Sequence, residues 1–379
     1  MLSRVSYSSE HEAFRRTVAR FVDEQIAPFA HTWDERGEFP RELYQQAAQI
    51  GLLGLGFPEE YGGTPADPFH TILAVFELCR AACGGVNAGL MSHAIALPPV
   101  ASLGSDELRH RVIPPVLRGE AIAALAVTEP SGGSDVANLQ TTARRDGDVY
   151  VVKGSKTFIT SGMRADYLTT AVRTGGPGIE GISLLVIEGK TPGLSRTALE
   201  KMGWWASDTA TLYFDECRVP ATNLVGQENQ GFFGLMLNFN HERLGLAANA
   251  VGFSKVAYQE AVEWAHTRMT FGKRLIDRQV IRHKLVDMAT DIAAAEAFLV
   301  SVASKIRDGE SPIAEICMLK NVATRCVEHC AKEAVQILGG AGYLRGTKSE
   351  RIYRETKVLA IGGGAEEIMK ELASRHLGW

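Results

Sequence analysis

Two stretches of this sequence set reactive residue types at spacings that chemistry can use. The first is Ala126-Val-Thr-Glu-Pro-Ser-Gly-Gly-Ser-Asp135, where adjacent glycines and serine hydroxyls follow an apolar run. Such a loop brings the backbone close to a ligand and can point several N–H groups at a diphosphate, although the same residues also make an ordinary turn. The second is Glu242 in Asn240-His-Glu-Arg-Leu-Gly-Leu246. With Phe239 at i−3 and Leu246 at i+4, Glu242 projects from the apolar stripe of a long helical pattern. A carboxylate there needs either a partner on a neighbouring helix or a task, such as proton transfer with a pKa raised by desolvation. Cys326, His329 and Cys330 share a helix face at a spacing that can ligate zinc, but Ile316, Leu319, Ala323, Ala334 and Ile337 continue that face as a buried stripe. We read it as packing and expect no metal. Neither a GxGxxG nor a GxxxxGK[ST] loop is present: Gly340-Ala-Gly342 misses the third glycine and Gly154-Ser-Lys-Thr157 has the wrong order.

The elements that must position these residues fall into three blocks. Residues 1–120 show apolar spacings of three and four, as in Phe14, Val18, Phe21, Val22 and Ile26, broken by Pro28, Pro40 and the Pro58–Gly63 turn, and predict several helices. Over 121–227 the period shortens: Val149–Lys153, Tyr167–Val172, Ile182–Ile187 and Ala210–Phe214 predict strands, separated by Gly, Pro and Asp turns. From 228 to 379 long helical patterns return, one of about thirty residues through Met236 and Trp264, then others over 279–307 and 312–338, which predict a bundle. The fold class is α+β and mostly α, in the order α, β, α.

Composition narrows the function. The 379 residues carry 40 Lys+Arg against 44 Asp+Glu, a net charge of −4, so no surplus positive field exists to hold nucleic acid or anionic lipid. No uncharged apolar run is long enough to cross a membrane, and the first residues lack the apolar stretch of a secretory signal. Six cysteines without a CxxC pair fit reduced, buried thiols. These features lead us to expect a cytoplasmic protein.

Five spaced motifs add a resemblance. The segment 126–135, Lys156-Thr-Phe-Ile-Thr-Ser161, Arg268-Met-Thr-Phe-Gly-Lys273, Gln336-Ile-Leu-Gly-Gly-Ala-Gly342 and Gly364-Ala-Glu-Glu-Ile-Met-Lys-Glu-Leu-Ala-Ser-Arg375 resemble the FAD-dependent acyl-CoA dehydrogenase family over nearly the whole chain. The resemblance implies an N-terminal helical domain, a central β domain, a C-terminal four-helix bundle and a homotetramer. It also implies FAD contacts at Val127, Thr128, Gly133, Ser134, Phe158 and Thr160, with Thr128 and Thr160 at the isoalloxazine and Gly133 and Ser134 at the pyrophosphate. Phe158 would cover one flavin face, where relatives often carry Trp; otherwise it is a plain strand-core aromatic. Arg268, Phe271, Gln279, Gln336, Gly340 and Glu367 match further cofactor positions, and Arg268, Phe271, Gln336 and Gly340 receive the adenosine half of FAD from a neighbouring subunit.

One departure from the family pattern bears on mechanism. Many members place the catalytic glutamate in a C-terminal Glu-Gly-Thr context, where this chain reads Ile361-Gly-Gly-Gly-Ala-Glu-Glu-Ile368, so the matching residue is Gly363. Glu366 and Glu367 follow it, but acids in a helix's first turn favour the dipole. The long-chain and isovaleryl branches carry the base in a Glu-Arg pair on the long helix, which Glu242 matches. Glu242 is therefore our candidate base, the alternative being a structural ion pair. Arg243, turned about 100° from it, matches an arginine that contacts CoA in the family, and we expect it not to neutralise Glu242 directly. Gly363 would keep the backbone N–H that binds the thioester oxygen, and Gly362 and Gly363, with Ser134, complete the expected substrate contacts.

The implied reaction is oxidation of an acyl-CoA to the trans-2-enoyl thioester: Glu242 takes the α proton, the β hydrogen leaves as hydride to flavin N5, and an electron-transfer flavoprotein receives the electrons. A role in fatty acid metabolism follows. Alternatives are an acyl or aminoacyl group on a carrier protein, a flavin monooxygenase of the same fold, or a non-enzymatic scaffold.

Overall fold

The structure is a computed structural model that describes residues 7–379. Its first block is helical: α1 (Ser9–Phe21), α2 (Ala30–Arg36), α3 (Glu42–Gln49), α4 (Pro68–Cys79), α5 (Gly84–Leu90), α6 (His93–Ala96), α7 (Pro98–Leu103) and α8 (Asp106–Leu117). Local signals set the boundaries. The Ser8 hydroxyl accepts from the His11 N–H at 3.2 Å to cap α1, and Asp67 caps α4 just before Pro68 at its first position.

Eight strands follow: β1 (Ala123–Ala126), β2 (Thr142–Asp146), β3 (Val149–Thr160), β4 (Tyr167–Arg173), β5 (Ile182–Glu188), β6 (Leu194–Ala198), β7 (Thr209–Pro220) and β8 (Leu224–Val225). They form one sheet in the order β6-β7-β3-β2-β4-β5-β8, with β1 parallel to β4. Four of these strands carry the apolar runs read from the sequence. The others escaped because β2 (Thr-Ala-Arg-Arg-Asp) and β6 are largely exposed and β1 and β8 are short. The β3–β7 ladder shifts register between Lys156 and Ile159. At that bulge Phe158 takes φ +60° and stands 68 % exposed, a re-aiming of one side chain for which bulges are suited.

The last block is a bundle. Helix α9 (Gly231–Thr267) has 37 residues, longer than its periodicity suggested. After a short hairpin, Met269–Thr270 with Lys273–Arg274, come α10 (Gln279–Arg307), α11 (Ile313–Leu338), α12 (Gly340–Tyr343), α13 (Lys348–Ile361) and α14 (Glu366–His376). Helix α11 is central, packed on α9, α10, α13 and α14. Ala247, Ala250, Ala257, Ala261 and Ala265 of α9 are fully buried, and such small residues let the helix axes approach closely. Met288, Leu299, Leu319 and Val327 fill the layer between, and each such side chain contributes about 1.5–3 kcal/mol on burial.

Candidate active site

Glu242 sits on α9 opposite the turn between α13 and α14. Gly363 and Gly364 in that turn take φ +66° and +106°, conformations that favour glycine. A Cβ added at Gly363 would lie 2.6 Å from Leu246 Cδ1 and 3.4 Å from Glu242 Oε1. The carboxyl group from α9 thus stands where a side chain at 363 would project. Among the described residues no hydrogen bond or ion pair reaches it, although it keeps some accessible surface. Surrounding protein desolvates the anion and pushes its pKa up to about 7, against the opposing charges of Arg243 and Lys320.

Arg243 is buried and forms no ion pair with Glu242. Its Nε donates to the Gly363 carbonyl at 3.1 Å and its Nη1 to Asn240 Oδ1 at 3.1 Å. As the helical angle implies, this side chain stays off the glutamate, and it is directed onto the glycine turn. Two residues of α11 hold the same turn: Lys320 Nζ donates to the Gly364 carbonyl at 2.7 Å and Asn321 Nδ2 to the Glu366 carbonyl at 3.1 Å. Gly362 N–H donates to Val358 O at 2.7 Å, whereas no acceptor for the Gly363 N–H is found among the described residues. Lys320 and Asn321 were missed in the sequence. The available signal was a lysine inside the Ile316, Leu319, Ala323 stripe.

The nearby acids behave differently. Glu366 pairs with Arg325 and with Lys370 at 2.7 Å, which holds its pKa down to about 2, and Glu367 is exposed. Neither is set up as a base. A raised pKa alone does not single out Glu242, because burial also pushes Glu355 up to about 8. Glu355, however, accepts the Gly84 N–H at 2.8 Å and the Trp204 N–H at 3.3 Å, so its oxygens are occupied in joining the three blocks.

The loop after β1 forms the second half of the site. Thr157 N–H donates to Thr128 O at 2.8 Å. The fully buried Lys156 donates to Val127 O at 2.9 Å and to Glu129 Oε1 at 2.8 Å. Glu129 also accepts the N–H groups of Gln140 (2.6 Å) and Thr141 (2.8 Å). This buried pair, unread in the sequence, fixes the loop's root. Thr128 and Thr160 are half-buried, Thr160 opposite Thr209 at the end of β3, and Gly133 and Ser134 are exposed at the loop tip. A Cβ at Gly132 would meet nothing within 4 Å and one at Gly133 only Thr128 Cγ2 at 3.4 Å. Open backbone beside hydroxyls, with the uncovered Phe158 ring, suits a planar heteroaromatic carrying a diphosphate. Val127 belongs to the same apolar cluster as Leu235, Met236 and Phe239 of α9, which brings the loop's root to the stretch of helix just before Glu242.

Arg268, Gln279, Gln336 and Gly340 are exposed on the bundle, and Phe271 is 97 % exposed at φ +50°. The Lys284–Glu333 ion pair sets the start of α10, with Gln279, beside the end of α11, with Gln336. The cysteine-histidine face does not converge: Cys326 Sγ is 3.5 Å from Ser254 Oγ, Cys330 Sγ points to Met288 O at 4.0 Å, and His329 Nδ1 lies 2.7 Å from Asp291 Oδ2. A different group, His11, Asp67 and His70, brings potential ligand atoms within 4.8 Å of one another, and Asp67 Oδ1 there already caps α4 and contacts both rings.

The acyl-CoA dehydrogenase N-terminal, middle and C-terminal domain families match residues 8–120, 124–217 and 229–378. An acyl-CoA dehydrogenase of Bacillus subtilis (strain 168) is 37 % identical over 373 residues, covering 98 % of each chain. The mitochondrial long-chain specific acyl-CoA dehydrogenase of Sus scrofa is 35 % identical over 98 % of this chain and 87 % of its own. The crystal structure of a probable acyl-CoA dehydrogenase from Mycobacterium abscessus superimposes with a TM-score of 0.96 at 48 % identity, covering 98 % of this chain and 99 % of that one. In fold, in all three domain matches and in end-to-end similarity, this chain belongs to the acyl-CoA dehydrogenase family, flavin-dependent oxidoreductases acting on CH–CH groups.

Proposed function

We propose that the chain oxidises an acyl-CoA to the trans-2-enoyl-CoA, with Glu242 as the base. The observation that carries this reading is the Glu242 carboxylate, without a partner among the described residues, desolvated to a pKa of about 7 and set against the Gly363 position. A base poised near the working pH contributes roughly 10²–10⁴-fold to proton abstraction. The uncommitted Gly363 N–H is suited to donate to the thioester oxygen, which acidifies the α carbon, and a single donor of this type is worth about 2.7–4 kcal/mol. One turn beyond Glu242, Gly245 has nothing within 4 Å of where its Cβ would stand, so an acyl chain can lie along α9 there.

FAD is the flavin that the open loop and Phe158 fit, with Val127, Thr128, Gly133, Ser134 and Thr160 as its contacts; when bound it supplies the acceptor for the β hydrogen. The chain's part is to hold the α carbon against Glu242 while Phe239, Leu246 and the turn exclude water. Arg268, Phe271, Gln279, Gln336 and Gly340, exposed together on the bundle, are proposed to meet FAD carried by a second copy in a homotetramer, and Glu367 is a further cofactor candidate. Ser134 and Gly362 are proposed substrate contacts, with Arg243 acting through the turn it binds. An electron-transfer flavoprotein as acceptor, a cytoplasmic location and a place in fatty acid metabolism complete the reading. No helix of the described residues is long and apolar enough to cross a membrane.

A panel of straight and branched acyl-CoAs tests it by anaerobic bleaching of the flavin. Bleaching by at least one CoA ester, lost in Glu242→Gln, supports the reading. Bleaching only by carrier-bound thioesters would transfer the chemistry to a carrier substrate.

A further inference from the structure

Lys320 is the deepest cation near the site. It is fully buried in the α11 stripe between Leu319 and Ala323, no carboxylate lies within ion-pair distance of it among the described residues, and its hydrogen bond goes to a backbone carbonyl, that of Gly364. An ammonium in such a place is costly, and a methionine would fill the space without that cost, so a task is implied.

The task is legible in what Lys320 touches. The Gly362–Gly364 turn has no side chains of its own to hold it, and glycine runs carry the greatest backbone freedom. It is held from outside by donors on neighbouring helices: Arg243 of α9 on the 363 carbonyl, Lys320 and Asn321 of α11 on the 364 and 366 carbonyls. Of these, Lys320 is the one that bonds the Gly364 carbonyl itself, at a residue whose φ of +106° favours glycine and so leaves no side chain to fix it. The charged and titratable groups around it are Glu242 and Arg243 from α9, Cys317 from α11 and Glu366 from α14, and Glu366 is engaged by Arg325. Glu242 is therefore the acid near Lys320 without a bond of its own among the described residues.

We propose that Lys320 is a positioning residue for the reaction: it pins the Gly364 carbonyl so that the Gly363 amide keeps its aim, and its charge favours the ionised form of Glu242. This rests on Glu242 being the base. Burial pulls the lysine down to about 8 while Glu242 pulls it up, the reciprocal of its effect on the glutamate.

The test compares Lys320→Met, which removes donor and charge, with Lys320→Gln, which keeps a donor, and Lys320→Arg, which keeps both. Hydrogen–deuterium exchange of the 359–369 segment in the purified holoprotein reads the clamp without relying on turnover. Exchange there should quicken about tenfold in the Met variant and less in Gln, with Arg near the parent. The pH midpoint of anaerobic flavin reduction should rise by about one unit in Met and Gln and return in Arg. Unchanged exchange and midpoint in a folded Met variant overturn the proposal; should Met not fold, the same two null results in Gln do so. If instead Glu242→Gln still reduces flavin, the base assignment fails while the exchange data still judge the clamp.

Discussion

In the sheet, Lys156 and Glu129 face each other at 2.8 Å and the carboxylate gathers two backbone N–H groups besides. In the bundle, the fully buried Lys320 and the half-buried Glu242 also stand near one another, yet the lysine bonds to a backbone carbonyl and the glutamate to nothing among the described residues. The same two residue types give opposite outcomes: the pKa of Glu129 is lowered by its partners despite its burial, whereas that of Glu242 is raised to about 7. A carboxylate saturated with donors is a structural joint. One deprived of them retains basicity, which is what the proposed role of Glu242 as base requires.

That contrast can be broken from either side. Glu242→Gln should lower the rate of flavin reduction by about a thousandfold while the protein stays yellow, as removal of a positioned base does; stopped-flow anaerobic reduction measures it, and a residual rate within tenfold of the parent would return the contrast to mere packing. Lys156→Met should cost about 3–5 kcal/mol of stability, because it leaves Glu129 buried and unpaired, with loosened flavin as the visible sign in thermal melts followed by flavin fluorescence. In the parent enzyme the reduction rate should climb about tenfold per pH unit below the Glu242 pKa of about 7 and level off above it. Gly363→Ala, which must displace Leu246 and adopt φ +66°, should cost about 1–2 kcal/mol by denaturant unfolding.

A last effect sharpens the comparison through its sign. A carboxyl whose folded pKa is raised favours folding while protonated, and that help is lost as pH rises from its ordinary 4.5 through about 7. Glu242→Gln should thus be more stable than the parent at pH 8 by up to about 3 kcal/mol, with the difference fading toward pH 4.5 and below. Glu129, with its lowered pKa, runs the other way: its contribution is present above the ordinary carboxyl range and is lost on acidification.

Much of this was legible in the residues. Change of apolar period marked helices and strands because one face of each element is buried, and Glu242 stood out because it interrupts such a face between Phe239 and Leu246. What stayed hidden depends on distant neighbours. Lys156 alternates correctly with Val152 and Gly154 along β3, but its partner Glu129 lies 27 residues earlier across a loop, and no local pattern encodes that pairing. The bulge at Phe158 arises from the β7 register, and the bond from Arg243 to the Gly363 carbonyl was hidden because helical angle alone does not foresee a glycine turn arriving 120 residues later.

The length of α9 has a mechanical consequence. Glu242 stands on the continuous helix that Arg268 caps at its C-terminal end, and the 25 residues of rise from Glu242 to Thr267 at 1.5 Å each span about 38 Å. If the far end seats against a second copy, subunit docking and proton abstraction share a single ruler: a one-residue insertion between them would rotate the carboxyl about 100° away from its recess even if every contact at the docking end were preserved.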